Sequence, residues 1–178
     1  MTKKKSEELA IALVSGGMDS LVSAAMANEK HEHMAFLHLN YGQKTEEREL
    51  ESFNNIADFY NIPKNKRKVI DVTFLSQIGG SSLTDSSMNV TSYEGDSNEI
   101  PTSYVPFRNT HIVAMAVSWA EVIGAKKIYI GAVEEDSSGY PDCRPSYYKA
   151  LNALVKEGTK EGDIEIITPV IELKKSDI

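Results

Sequence analysis

The chain has 178 residues, 41% hydrophobic and 25% charged, which is enough for one domain with a buried core and ordinary for a globular protein. Its formal net charge of −7 argues against a chain held chiefly by nonspecific attraction to nucleic acid or an anionic membrane. Cys143 is the single cysteine, so no internal disulfide forms, and no apolar run approaches the ~20 residues of a membrane span; both point to the cytoplasm.

The N-terminal residues 1–8, with Lys3, Lys4 and Lys5, are polar and lack a signal-peptide core. Leu9–Val14 is a short apolar run that reads as a strand buried on both faces. Ser15-Gly16-Gly17 breaks it, and a helix follows from Met18 with Leu21, Val22, Ala24, Ala25 and Met26 as its apolar side. Adjacent glycines permit positive φ and close approach of the backbone to a ligand. The helix start adds unpaired N–H groups and a positive dipole end, which together suit phosphate. Ser15 and Ser20 can add hydroxyl bonds, whereas Asp19 would repel phosphate unless a divalent cation sits between them. Neither Gly-x-x-x-x-Gly-Lys-Ser/Thr nor Gly-x-Gly-x-x-Gly occurs, which argues against transfer of a terminal phosphate by a P-loop enzyme.

Met34–Leu39 reads as a second strand ending at Asn40-Tyr41-Gly42-Gln43. A helix from Thr45 follows, with Leu50, Phe53, Ile56, Ala57 and Tyr60 at helical spacing and acidic residues in its first turns. Lys64, Lys66, Arg67 and Lys68 form a basic cluster that reads as the solvated start of a third strand, Arg67–Val72. The stretch 73–103 is irregular, with seven serines between Ser76 and Ser97; a helical turn is expected at Phe74–Ile78 and a cover over a site in the remainder. Asn109 or Thr110 can cap a helix running to Ile123, ended by Gly124. A fourth strand at Lys127–Ile130, a Gly/Pro/Ser loop, a helix from Ser146 to Lys156, a fifth strand at Glu165–Ile167 and a helix start at Lys174 complete the pattern. Alternating strands and helices predict an α/β fold: a doubly wound, parallel, five-stranded sheet with helices on both faces. Ligands bind such sheets beyond the carboxyl ends of the strands, where Ser15–Gly17, Asn40–Gln43 and Gly131–Asp136 fall.

Several groups could carry chemistry there. Arg108 offers a guanidinium fork suited to carboxylate or phosphate, and Asn109 an amide suited to a heterocycle; a surface charge and a plain helix cap are the bland alternatives. In Tyr140-Pro-Asp-Cys-Arg-Pro145, Tyr140 could stack on a ring, Asp142 accept from an amidine edge and Arg144 pair with a carboxylate; a proline-braced turn is the alternative. Cys143 reads as a small buried hydrophobe. Glu134, Glu135 and Asp136 read as a solvated charge run, and His31, His33 and His38 as structural and not as metal ligands.

Ser15–Ser20 resembles the pyrophosphate loop of the N-type ATP pyrophosphatases (the PP-loop superfamily). Together with Tyr41-Gly-Gln43, Ser81-Ser-Leu-Thr84, Val105-Pro-x-Arg-Asn109 and Gly139-Tyr-Pro-Asp-Cys-Arg144, it resembles the QueC/ExsB family of 7-cyano-7-deazaguanine synthases over Ile11–Ile178. The resemblance implies a ligase that activates 7-carboxy-7-deazaguanine with ATP, takes ammonia to give an amide, and uses a second ATP to give the nitrile, with AMP and pyrophosphate as products. It implies Val14, Ser15, Gly16, Gly17, Met18, Asp19, Ser20 and Leu21 as the ATP and pyrophosphate site. It further implies that Asp19, Ser20 and Lys175 carry catalysis, with Lys174 the alternative by one position, and that Asp19 faces magnesium through ATP. The resemblance likewise implies Arg108, Asn109, Tyr140, Asp142 and Arg144 as the lining of the substrate pocket. Leu21, Thr45 and Ser146 depart from the family pattern.

The family also carries a four-cysteine zinc site in a C-terminal tail. This chain stops at Ile178, so residues 1–178 are read as a single ATP pyrophosphatase domain without zinc ligands, either truncated or naturally short. A free small-molecule substrate, no direct nucleic acid or membrane partner, and a homodimer are the further expectations. The competing readings are another PP-loop synthetase, of tRNA-thiolating or amidotransferase type, and a regulator that senses ATP without turnover.

Overall fold

The first two strands carry buried apolar stretches, Ala10–Leu13 in one and, His38 apart, Met34–Leu39 in the other, because both faces of the sheet are covered there. In the computed structural model, which describes residues 4–85, 100–134 and 140–178, they are β1 (Ser6–Leu13) and β2 (His31–Asn40). With β3 (Arg67–Asp71), β4 (Lys127–Tyr129) and β5 (Glu165–Ile167) they form one sheet in the order β3-β2-β1-β4-β5, every neighbouring pair parallel.

Strand alternation divides the core in two. Ala10, Ala12, Val14 and Phe36 face α1 (Met18–Lys30) and α2 (Glu46–Phe59), packing on Ala24, Ala27, Phe53 and Ala57. Ile11, Leu13, Leu37 and Leu39 face the other way. There, beyond the single turn α3 (Phe74–Ile78), Val113 and Ala116 of α4 (Arg108–Ile123) and Leu151 and Val155 of α5 (Pro145–Gly158) cover them. The strand order turns back at β1, which has β2 on one side and β4 on the other. The crevice beyond that gap is where open α/β sheets bind ligands.

The expected elements are found within a few residues of their expected ends, with two local differences. The buried face of α1 is Ser20, Ser23, Ala24 and Ala27, while Leu21 and Met18 are exposed. This helix lies so close to β4 that a Cβ on Gly131 would stand 2.5 Å from the backbone carbonyl carbon of Asp19. Only small side chains fit such an approach, so the larger ones turn outward. The second difference lies at α4, whose start is capped by neither Asn109 nor Thr110. Phe107 occupies the position before it in the left-handed region, φ 59°, and the cap comes from another segment, as described below.

The histidines are structural. His31 joins the Glu8 carbonyl (3.1 Å) and the Tyr129 hydroxyl (3.0 Å), His38 bonds the Val14 carbonyl (2.8 Å), and His33 is exposed. Arg67 of the basic cluster donates to the Ile62 carbonyl and pairs with Asp58, and Lys68 lies over the Trp119 ring, so this start of β3 is tied to its own fold.

Candidate active site

The turn after β1 is held by its own hydroxyls. Ser20 Oγ donates to the Gly17 carbonyl (2.8 Å) and accepts from the Ser15 N–H (3.2 Å) and the Ser15 hydroxyl (3.1 Å). Ser15 Oγ also accepts from the Gly17 N–H at 3.3 Å. From α2, Ser52 Oγ donates to the Gly16 carbonyl at 2.9 Å and fixes the turn from behind.

The two glycines serve different ends. Gly16 has φ +90°, and a Cβ there would meet the Glu49 carbonyl oxygen at 2.7 Å, so both its conformation and its packing demand glycine. Gly17 is extended, φ −87° and ψ 166°, and a Cβ would meet nothing closer than Ser15 Oγ at 3.6 Å. Packing thus leaves the Gly17 side open. Beyond it α1 begins at Met18, and the first-turn N–H groups of a helix lack carbonyl partners within the helix.

A cavity of about 230 Å³ opens beside this turn at the carboxyl ends of β1, β2 and β4. Ser15, Ser20 and Gly131 line one wall, and Tyr41, Arg108 and Asn109 another. Phosphate-binding and substrate-binding candidates that lie about ninety residues apart in the sequence therefore share one space. Arg108 Nη1 donates to the Tyr41 hydroxyl at 3.2 Å, with the guanidinium 5.4 Å from the Tyr41 ring centre. Burial opposes the charge of Arg108, but the Tyr41 hydroxyl and the Asp142 carboxylate outweigh it and raise the pKa above the usual guanidinium value. Burial likewise raises the Tyr41 pKa, with Arg108 acting against it.

Asp142 is buried and caps α4 across the fold: its Oδ2 accepts the Asn109 N–H at 3.0 Å. The Asn109 side-chain amide donates to the Asp142 carbonyl (2.9 Å) and to Cys143 Sγ (3.3 Å). A carboxylate at a helix N-terminus also opposes the helix dipole favourably. The Asn109 amide hydrogens are thus spent on the neighbouring loop, and its carbonyl oxygen is the group left for a heterocycle. The Tyr140 hydroxyl meets Ser103 Oγ, and its ring lies 5.6 Å from that of Tyr104. Arg144 is exposed before α5 and is not brought into the cavity. The short helical turn Lys175–Asp177 follows β5, but the side chain of Lys175, and Glu135, Asp136 and Gly139, lie outside the described residues.

Of the expected cover, Ser81 and Ser82 are buried and tied to residues 102–103, and 86–99 lie outside the described residues. Tyr41, Glu49 and Gly131 line the cavity without having been singled out as site residues; Tyr41 and Gly131 stand just after the carboxyl ends of β2 and β4, and Glu49 comes from the first turn of α2.

The donor set fits a magnesium ion that arrives on ATP: one carboxylate, Asp19, at the first turn of α1, beside a turn suited to phosphate. Among the described residues no three His, Cys, Asp or Glu side chains form a metal cluster. The single cysteine is buried against Asn109, so the residues present do not fit a four-thiolate zinc site. Among the described residues no helix is long and apolar enough to cross a membrane.

A doubly wound parallel sheet with a Ser-Gly-Gly-x-Asp-Ser turn at the end of β1 defines a PP-loop ATP pyrophosphatase. Solved structures agree on the fold. A U34-tRNA thiolase NcsA from Methanococcus maripaludis with its 4Fe–4S cluster superposes with TM-score 0.58 at 16% identity, over 97% of this chain and 55% of that one. An NH3-dependent NAD synthetase from Campylobacter jejuni gives 0.52 at 14% identity, over 98% and 62%. The model of the family described as queuosine biosynthesis protein QueC matches residues 9–178. A 7-cyano-7-deazaguanine synthase of Chloroherpeton thalassium is 59% identical over 170 residues, 95% of this chain and 74% of the relative. That of Chlorobium phaeobacteroides is 57% identical over the same shares. The chain belongs to the QueC family and is an enzyme of queuosine-precursor synthesis.

Proposed function

We propose that the chain converts 7-carboxy-7-deazaguanine and ammonia to 7-cyano-7-deazaguanine, consuming two ATP and releasing two AMP and two pyrophosphates. The observation that carries this reading is the shared cavity: Ser15 and Ser20, the two ends of the turn, and Arg108 line one space. An acid held by Arg108 would lie beside the phosphate chain of ATP held at the turn.

The acid's carboxylate oxygen attacks the α-phosphorus, and the bond from that phosphorus to the β-phosphate bridging oxygen breaks. Pyrophosphate departs toward Ser15, Gly16, Gly17 and Ser20, where a turn fixed by its own hydroxyls and the positive start of α1 would receive its charge. Magnesium bound to ATP would neutralise phosphate charge, with Asp19 as its protein ligand. Ammonia then attacks the acyl carbon, AMP leaves with the C–O bond, and loss of a proton from nitrogen gives the amide. In the second round the amide oxygen attacks the α-phosphorus of a second ATP and displaces pyrophosphate, and loss of AMP and of both N–H protons gives the nitrile. No side-chain nucleophile is required, because ammonia attacks the acyl carbon directly. The substrate is a free small molecule and not a tRNA, residues 1–178 act as one ATP pyrophosphatase domain, and the cytoplasm is the compartment.

Full-length protein with ATP, magnesium and ammonium should release AMP and pyrophosphate only when 7-carboxy-7-deazaguanine is added, and mass spectrometry should show the nitrile. Tight ATP binding with no release would favour a sensor, and release without the acid a different acceptor.

A further inference from the structure

Arg108 is half-buried at the cavity wall, and among the described residues no carboxylate comes within the 4.0 Å of an ion pair with it. A guanidinium so placed must be held by something else if its donors are to aim at a ligand. Tyr41 does this twice over, with its ring beneath the cation and its hydroxyl accepting from Nη1. A guanidinium carries five N–H donors, and among the described residues no other hydrogen-bond partner is seen for this one, so the remainder of the fork can take both oxygens of a planar carboxylate.

Tyr41 is itself fixed. Its N–H donates to Oε1 of buried Gln43 at 2.9 Å, and Gln43 Nε2 donates to Glu49 Oε2 at 3.0 Å. Glu49 is also the residue whose backbone carbonyl abuts Gly16. One connected set of contacts thus runs from the arginine to the back of the phosphate turn.

We infer that Tyr41 is a positioning residue: it holds Arg108 so that the guanidinium fork grips the carboxylate of the acid while the turn fixes ATP. This rests on the function proposed above. Tyr41→Phe keeps the ring and removes only the hydroxyl. In the full-length protein it should raise KM for the acid roughly tenfold, the scale of one hydrogen bond to a charged group, and leave KM for ATP within about twofold. In an Arg108→Ala background the same change should add nothing, because a residue acting through Arg108 has no target left. Calorimetric binding of the acid alone to the unfolding-checked variants should repeat the pattern without turnover. An unchanged KM for the acid, an equal rise in KM for ATP, or effects of Tyr41→Phe and Arg108→Ala that multiply would each overturn the inference. A wild-type protein that forms no acid-dependent AMP would overturn the function reading as well, so the two failures are told apart by the wild-type control.

Discussion

Gly131 should be the least replaceable glycine outside the phosphate turn. A Cβ there would stand 2.5 Å from both the carbonyl carbon and oxygen of Asp19 and 2.7 Å from the Ser20 nitrogen. These are backbone atoms of the first turn of α1, and none can swing aside as a side-chain tip does. Reaching ordinary contact at 3.4 Å from 2.5 Å requires a withdrawal of about 0.9 Å. Overpacking of this kind costs about 1–3 kcal/mol, which in a domain of this size lowers Tm by roughly 3–9 °C. The displaced element carries Asp19 and Ser20, and an ångström of misplacement at a reacting centre can cost ~10²-fold in rate. Gly131→Ala should therefore lower Tm and acid-dependent AMP formation together. Gly17→Ala is the contrast: its Cβ has room and its φ is ordinary, so Tm should hold or rise by the effect of a stiffer unfolded chain while KM for ATP rises. Differential scanning fluorimetry and an AMP assay read both. Gly131→Ala with wild-type Tm and wild-type activity would refute the packing argument.

Asp19→Ala should abolish magnesium-dependent ATP binding in calorimetry, and retained binding would rule out the cation role. Asp142→Ala removes the cap of α4, at a cost of about 1 kcal/mol, and loosens Asn109 beside Arg108; ATP should still bind while acid-dependent AMP formation is lost, and unchanged turnover would sink the assignment. Burial raises the pKa values of Tyr41, Tyr147 and Tyr148 above the ordinary 10.0. A raised folded-state pKa gives stability that is complete below the unfolded value and is lost as pH climbs through the folded value. Tm should therefore be insensitive to these groups from pH 7 to about pH 9 and fall above pH 10, with tyrosinate absorbance appearing alongside unfolding; early tyrosinate absorbance in folded protein would contradict it.

The sheet was legible because its strands state their environment in composition: Ala10–Val14 and Met34–Leu39 have almost no polar position, as double burial demands. The anion turn was legible because glycine and serine at a strand end admit few other uses. The face of α1 was not legible. Hydrophobicity pointed to Leu21, Val22, Ala24, Ala25 and Met26, of which only Ala24 is fully buried; what decides the face is distance to the segment after β4, a tertiary quantity that favours Ser20, Ser23, Ala24 and Ala27. The packing role of Gly131 was hidden for the same reason: the sequence places Gly131–Asp136 beyond the carboxyl end of β4, but nothing nearby in the chain reports what stands opposite the missing Cβ.

The cap of α4 shows how local reading and site chemistry part company. Asn109 is a good capping residue by type, and a local cap would have used its side chain on its own helix. Instead Asp142, from the loop after β4, takes the Asn109 N–H, and the Asn109 amide reaches back to hold that loop. The exchange ties the two segments that carry Arg108 and Tyr140 to each other and not to their own elements. Phe107, left-handed at φ 59° just before Arg108, fits the same logic: the backbone departs from its easy conformation where the chain must deliver a guanidinium to the cavity. Local rules fail here because the pocket is assembled by contacts between segments distant in sequence, so the residues that break those rules are the ones that join the substrate wall of the cavity to the helix that carries it.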